Sequence, residues 1–413
     1  MSSHESNDGN VKRHDHYFDI APYAESTIAY RNTQSPYYPV YIGQTLNNNY
    51  RIEHKLGHGG FSTVWMAHDM RGGKNVALKI LVAGQMGEDE LTIQNEIKQK
   101  VSDTNNLVLY EATFRLPGYN TLDHRVFVFP IHGPSLRSSM RSLPIAHRMH
   151  AVRPLAQALQ CLHSGGFVCR GNIRPLFNTR YVLVPLLTDE IDLNSKNAMW
   201  GVVSLDKYDT SAIYQRLGRP KKQEIFGDVK GWRAELVRPV EVPRSLIRKE
   251  VYLGDFGMAI RAGTSVDFKG QTPVVYCAPE RYHNIDPSFA SDMWSYMVIF
   301  AELYLGTTPF HGIGVVQVIS YIVSIVGPLP QEWKGSYEGP GTAPDSWYDR
   351  SSKPYYPLKE QIGVIRPEVS DSERDIAVSI FSRGLCYLPE ARISMEELLQ
   401  DDSFKALLDL YGL

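Results

Sequence analysis

The chain has 413 residues, 43% of them hydrophobic and 21% charged, and its 43 basic and 45 acidic side chains leave a formal charge of −2. That length buries a sizeable core in two domains or one two-lobed one, and the near balance of charge excludes a whole-chain binder of nucleic acid or of a membrane surface. No apolar run approaches the roughly 20 residues a bilayer crossing needs.

The first 18 residues carry charge but no apolar stretch, so no secretory signal is expected. Four dispersed cysteines (161, 169, 277 and 386) form no paired motif, which suits a reducing, intracellular compartment. Residues 1–40 read as a disordered arm. Its His14-Asp15-His16 triplet has no fourth ligand nearby and reads as surface.

Apolar, β-branched runs at 50–56, 62–67 and 75–81, separated by glycine-rich turns, predict an antiparallel meander. Leu91, Ile93, Ile97 and Val101 predict a helix over 90–101, and 107–114 and 125–130 read as two further strands. Beyond Gly133 the pattern turns helical, with candidates at 145–163, 291–305, 314–326, 372–384 and 394–399. Strands first and helices afterwards predict an α+β chain with a β-rich N-lobe over 41–133 and an α-rich C-lobe over 134–413. A mixed spacer at about 180–250 contains strand-like pieces at 181–187 and 200–205. It also holds the basic run Arg216-Leu-Gly-Arg-Pro-Lys-Lys222, read as a solvated turn.

Three motifs carry chemistry. Gly57-His-Gly-Gly60-Phe-Ser-Thr-Val64 lies between two predicted strands, where glycines let backbone amides approach a polyphosphate; Ser62 stands where a third glycine is usual. Lys79, ending Val76-Ala-Leu-Lys79, places a cation at the end of an apolar strand, and Glu96 on the next helix supplies a carboxylate for it. Asp255-Phe-Gly257 follows another apolar strand and precedes Ala278-Pro-Glu280 by about two dozen residues, which suits a Mg²⁺ ligand at a strand end.

Together with Asp292-Met-Trp-Ser295 and Arg392, these motifs resemble the eukaryotic protein kinases over roughly residues 45–410. Tyr41-Ile-Gly-Gln-Thr-Leu46, Phe61-Ser-Thr-Val-Trp65 and Tyr214-Gln-Arg-Leu-Gly-Arg-Pro220 resemble the SR-protein kinases, particularly the fungal ones. The resemblance implies a bilobal fold, ATP and Mg²⁺ as cofactors, and protein substrates with Arg/Ser-rich segments. No nucleic-acid or membrane partner is expected, the location is cytoplasm or nucleus, and the oligomeric state is left open, with a monomer favoured.

It also implies roles. Leu56, Gly57, Gly59, Gly60, Val64 and Ala77 would line the nucleotide, with Phe129 as gatekeeper and His132 in the hinge. Lys79 would contact phosphates and pair with Glu96, and Asp255 would hold Mg²⁺. Glu280 and Arg392 would form a buried ion pair, and Asp292 would anchor the catalytic loop.

That loop departs from the pattern. Its base position is Asn172, whose amide cannot accept the substrate proton as a carboxylate does. Arg174 keeps a cation near the γ-phosphate. Asn178, the candidate second Mg²⁺ ligand, lies one residue late, with Phe177 at the expected place. General-base assistance is worth about 10²–10⁴-fold, so impaired transfer and a nucleotide-binding pseudokinase are the two readings carried forward. A small-molecule phosphotransferase is a third, opposed by the Ala-Pro-Glu and Asp-Met-Trp-Ser elements. Gly171, in place of a loop arginine, implies activity not gated by phosphorylation at Thr264, Ser265 or Thr272.

Overall fold

The computed structural model describes residues 37–84, 87–118, 122–169, 193–225, 234–267, 269–270 and 273–413. The His14-Asp15-His16 triplet, the 181–187 piece, Gly171 and Thr272 fall outside them.

In chain order the elements begin with β1 (Thr45–Leu46), β2 (Tyr50–His58), β3 (Ser62–Asp69), β4 (Lys74–Leu81), α1 (Glu88–Lys100), β5 (Ala112–Leu116) and β6 (His124–Pro130). They continue through α2 (Leu136–Ser139), α3 (Ile145–Met149), α4 (Val152–Ser164), β7 (Phe167–Val168) and β8 (Ala198–Val202). After these come α5 (Thr210–Leu217), β9 (Lys222–Ile225), β10 (Ala234–Val237), β11 (Ile247–Leu253) and β12 (Ile260–Arg261). Helices close the chain: α6 (Phe289–Leu305), α7 (Val315–Val326), α8 (Leu358–Ile365), α9 (Asp371–Gly384), α10 (Met395–Gln400) and α11 (Asp402–Asp409). None of the described helices is long and apolar enough to cross a membrane.

The expected 145–163 helix is two helices. Pro154 has no N–H to return to the carbonyl four residues back, so the helical ladder breaks between α3 and α4.

Two compact units emerge. The first comprises residues 1–86, 112–128 and 205–241. Its sheet runs β1-β2-β3-β4-β6-β5, with the predicted meander at its centre. Alternation along β4 turns Val76, Leu78 and Ile80 to an apolar core shared with Ile52, Trp65, Ala67, Val126 and Val128, leaving Ala77 and Lys79 on the other face.

Two sequence boundaries move. The arm expected over 1–40 gives way to ordered chain at its end: Tyr37 is buried, Val40 lies in this core, and Tyr38 packs edge-on against His124. Residues 205–241, expected with the helical lobe, cluster with the first unit. The cause is charge. Glu53, buried on β2, accepts Arg51 at 2.8 Å, the Thr210 hydroxyl at 3.1 Å and the Tyr214 hydroxyl at 3.3 Å. Burial, then Glu53, pushes the Tyr214 phenol up to about 12. Buried Glu235 takes Lys222 at 2.8 Å and the Ile42 amide at 2.9 Å, and Asp206 takes the Asn75 amide at 2.7 Å.

The second unit comprises 87–111, 129–204 and 242–413, so α1 clusters with the helical part of the chain rather than with the sheet. Its core centres on α6, whose residues 291–305 are all buried behind a Ser288–Ser291 capping box.

Candidate functional site

In the first unit, the glycine-rich hairpin joins β2 to β3, with Gly57 opposite Val64 and Val64 opposite Lys79 in neighbouring registers. Gly59 N–H donates to Ser62 O at 2.8 Å and closes the tip. Leu56, Gly57, Gly59, Gly60 and Val64 are half-buried, Ala77 is buried, and half-buried Lys79 sits two residues from it on the face that turns away from the core.

In the second unit, β11 ends at Leu253, and the Asp255-Phe256-Gly257 turn follows. Val108 N–H donates to Leu253 O at 2.7 Å, and Gly254 N–H donates to Asn197 O at 2.9 Å, fixing the strand end. Asp255 adopts φ 62°, ψ 63°, a left-handed conformation that costs a non-glycine residue about 1 kcal/mol or more and persists where surroundings impose it. Phe256, buried in the helical unit's core, is one such constraint.

The helix α1 packs against this turn. Its inward residues are Glu90, Gln94 and Ile97, the i, i+4, i+7 face. Gln94 Nε2 donates to Glu90 Oε1 at 3.0 Å, and Gln94 Oε1 accepts the Tyr110 amide at 2.9 Å. Glu90 Oε2 lies so near Gly257 that a Cβ there would stand 3.1 Å from it.

Within this unit Glu96 Oε2 accepts Arg261 Nε at 2.7 Å. The reason is helical phase: with Glu90, Gln94 and Ile97 inward, Glu96 falls on a half-exposed flank of α1 beside β12.

Phe129 is buried on β6. His132 follows that strand, its ring 4.3 Å from that of Tyr252 and its Nε2 buried without a hydrogen-bond partner among the described residues. Burial pushes its imidazole down to about 4. Asn172, Arg174 and Asn178 lie outside the described residues.

The expected Glu280–Arg392 pair is present. Arg392 donates from Nη1 and Nη2 to the two carboxylate oxygens of Glu280 at 2.8 and 3.0 Å, with both side chains fully buried. Arg392 also reaches the carbonyls of Cys386, Tyr387 and Ala290. Asp292 Oδ2 accepts the Cys169 amide at 2.8 Å and lies 3.0 Å from His163 Nε2. Burial pushes the Asp292 carboxyl up, while the hydrogen bond and charge of His163 pull it down. A second buried carboxylate, Glu302, is held by Arg137 and accepts the Tyr276 hydroxyl at 2.8 Å, just ahead of Ala278-Pro279-Glu280.

Comparison with known proteins agrees with this arrangement. Residues 245–404 match the protein kinase domain family. A crystal structure of a kinase domain superposes with a TM-score of 0.60 at 18% identity, covering 89% of this chain and 99% of the other. Residues 245–404 thus match a protein kinase domain, and the chain shares the kinase-domain fold, with a β-rich N-terminal and a helical C-terminal part.

Its similar relatives are serine/threonine kinases. A probable serine/threonine-protein kinase clkA of Dictyostelium discoideum is 24% identical over 394 residues, 89% of this chain and 37% of that protein. SRSF protein kinase 3 of Mus musculus is 31% identical over 151 residues, 34% of this chain and 26% of that protein. The serine/threonine-protein kinase SRPK of Physarum polycephalum is 25% identical over 285 residues, covering 66% of this chain and 64% of that protein. The chain thus spans about a third of the length of the first of these and about a quarter of the second.

Proposed function

We propose that the chain binds Mg²⁺-ATP and transfers its γ-phosphate to serine or threonine of protein substrates, as an SRPK/CLK-type kinase whose turnover is reduced by Asn172. The observation that carries the reading is Asp255, held left-handed at the end of β11 with Phe256 in the core and Gly257 against Glu90. A strained carboxylate of this kind, followed by glycine, fits a hard-cation ligand.

Asp255 would hold Mg²⁺, with Asn178 as the candidate second ligand. When bound, the ion neutralises charge on the phosphates. By the resemblance, Lys79 would supply a cation for phosphates, and the hairpin from Gly57 to Val64 would supply backbone amides. Phosphoryl transfer depends mostly on such positioning and charge compensation, so the chemistry survives loss of the base more readily than acyl transfer would. Asn172 can orient a substrate hydroxyl through its carbonyl but cannot keep the proton. Arg174 adds positive charge beside it. Serine within Arg-rich segments is the substrate class that the resemblance to SR-protein kinases implies, and cytoplasm or nucleus is the corresponding location.

A second reading is a nucleotide-binding pseudokinase that acts as scaffold or allosteric partner; Asn172 favours it. The test uses purified chain, labelled ATP, Mg²⁺ and an Arg-Ser-rich peptide, beside Lys79→Met and Asn172→Asp. Wild-type transfer that Lys79→Met abolishes supports the enzyme. Transfer only in Asn172→Asp supports the pseudokinase, and failure of the wild type to bind ATP refutes both.

A further inference from the structure

We propose that Tyr37 is a positioning residue for the glycine-rich hairpin, orienting the amide N–H groups of Gly60 and Phe61 for nucleotide phosphates. The proposal rests on the nucleotide-binding reading above and adds a residue that no motif contains.

The Tyr37 hydroxyl lies 3.0 Å from Gly59 O and 2.9 Å from Gly60 O. A phenol has one proton, so it is shared between two successive carbonyls as a three-centre bond. Peptide planarity then fixes the other side of each unit. In a trans peptide the N–H points opposite to the C=O. The Gly59 carbonyl shares its peptide with the Gly60 N–H, and the Gly60 carbonyl shares its peptide with the Phe61 N–H. Two consecutive carbonyls facing Tyr37 therefore send two consecutive N–H groups away from it. Successive N–H groups aimed to one side are a recurrent anion-binding arrangement.

The contact is built into the fold. The ladder of β2 and β3 has its last pairing at His58 and Thr63, so residues 59–61 lie beyond it. Tyr37 is 8% exposed. Its chain neighbours are anchored in the same unit: the Tyr38 ring stands edge-on 5.2 Å from His124, and Val40 O accepts the Glu235 amide at 3.1 Å. Anchored this way, the hydroxyl holds a hairpin tip that glycines would otherwise leave with many backbone conformations. Fixing those conformations before the ligand arrives removes an ordering cost from binding.

The test compares the full chain with Tyr37→Phe, which keeps the ring and removes only the donor. Affinities for Mg²⁺-ATP, Mg²⁺-ADP and adenosine are measured by calorimetry, and amide exchange is followed over residues 57–62. Tyr37→Phe is expected to weaken ATP and ADP about 3- to 10-fold, the scale of one hydrogen bond, and to speed exchange at Gly60 and Phe61. Adenosine, which has no phosphate, is expected to bind both proteins equally. Unchanged ATP affinity overturns the proposal, and so does an equal loss for adenosine, which would mark a merely structural role. If the wild-type chain binds no nucleotide, the functional reading fails on its own. Unchanged exchange in Tyr37→Phe would then overturn the amide-orienting role as well.

Discussion

The Glu96 carboxylate and the Arg261 guanidinium form an ion pair at 2.6 Å that joins helix α1 to β12, the short strand after the Asp255-Phe256-Gly257 turn. Arg261 also donates to Gly165 O at 3.2 Å, and its guanidinium carbon lies 4.2 Å from the Phe167 ring centroid. Three parts of the helical unit thus meet on one side chain. Both partners are about one-third exposed, so solvent screens the charge term to about 0–1 kcal/mol. The ring contact and the carbonyl bond add to it. Arg261→Ala is expected to lower unfolding stability by about 1–2 kcal/mol and Glu96→Gln by less than about 1. Chemical denaturation of the two variants and of the double variant measures the coupling. A larger loss in Glu96→Gln than in Arg261→Ala would show that Glu96 has a different principal partner.

The Glu280–Arg392 pair behaves differently because no water reaches it. Both side chains are fully buried, and the guanidinium satisfies three backbone carbonyls besides the carboxylate. Removing one member leaves the other charged and unpaired, at about 3–5 kcal/mol. Arg392→Ala is expected to lose most soluble, folded protein. Arg392→Lys is expected to recover little, because an ammonium cannot make the two parallel bonds or span the Cys386 and Tyr387 carbonyls. A melting temperature for Arg392→Lys close to wild type would contradict this account.

How much of this was legible beforehand follows from the range of the interactions. The meander was readable because alternation of period two and glycine turns are local, and Val76, Leu78 and Ile80 face the core as their spacing requires. Glu280 and Arg392, 112 residues apart, were found through a family pattern, since no local signal links them. The bond between Glu96 and Arg261 has no local signal either, since it depends on the helical phase that turns Glu90, Gln94 and Ile97 inward. The affiliation of 205–241 was illegible for a related reason. Its anchors, Glu53 and Glu235, are carboxylates in ordinary strand sequence, and their partners Thr210 and Ile42 lie far away in the chain.

His132 gives the fold an acid sensitivity. The unfolded imidazole takes a proton near its usual value of about 6.5, whereas burial delays protonation in the folded state to about 4. Between those values unfolding takes up a proton, so stability is intact above about pH 6.5 and falls as the pH drops towards 4. The full contribution is of the order of 2–3 kcal/mol. His54, His124 and His283 are pushed down by burial as well and steepen the same slope. Urea unfolding at pH 7 and pH 5 should show the loss, and His132→Leu should shrink the difference between the two. An unchanged difference in the variant would assign the acid sensitivity to the other histidines.

Gly384 on α9 is a packing requirement. A Cβ there would fall 2.3 Å from Met297 Cγ and 2.6 Å from Met297 Cε, in the buried 291–305 stretch of α6. The near atom is close to the root of the Met297 side chain, so rotation alone does not clear it. Gly384→Ala is expected to cost about 1–3 kcal/mol despite alanine's better helix propensity. Calorimetric melting decides it, and a stabilised variant would mean that α6 and α9 can separate at little cost.

Asp255 separates charge from backbone in one residue. Its left-handed conformation is one that asparagine tolerates and alanine does not, so Asp255→Asn removes the negative charge with little added strain. Asp255→Ala removes the charge and adds backbone strain of about 1 kcal/mol. If Asp255 holds the metal, both variants lose the Mg²⁺-dependent part of ATP binding, and only Asp255→Ala melts about 1–2 °C lower without nucleotide. ATP titrations with and without Mg²⁺, beside nucleotide-free melting, read the two effects independently. Retention of Mg²⁺-dependent binding in Asp255→Asn would remove this carboxylate from the metal site and with it the observation on which the proposed function rests.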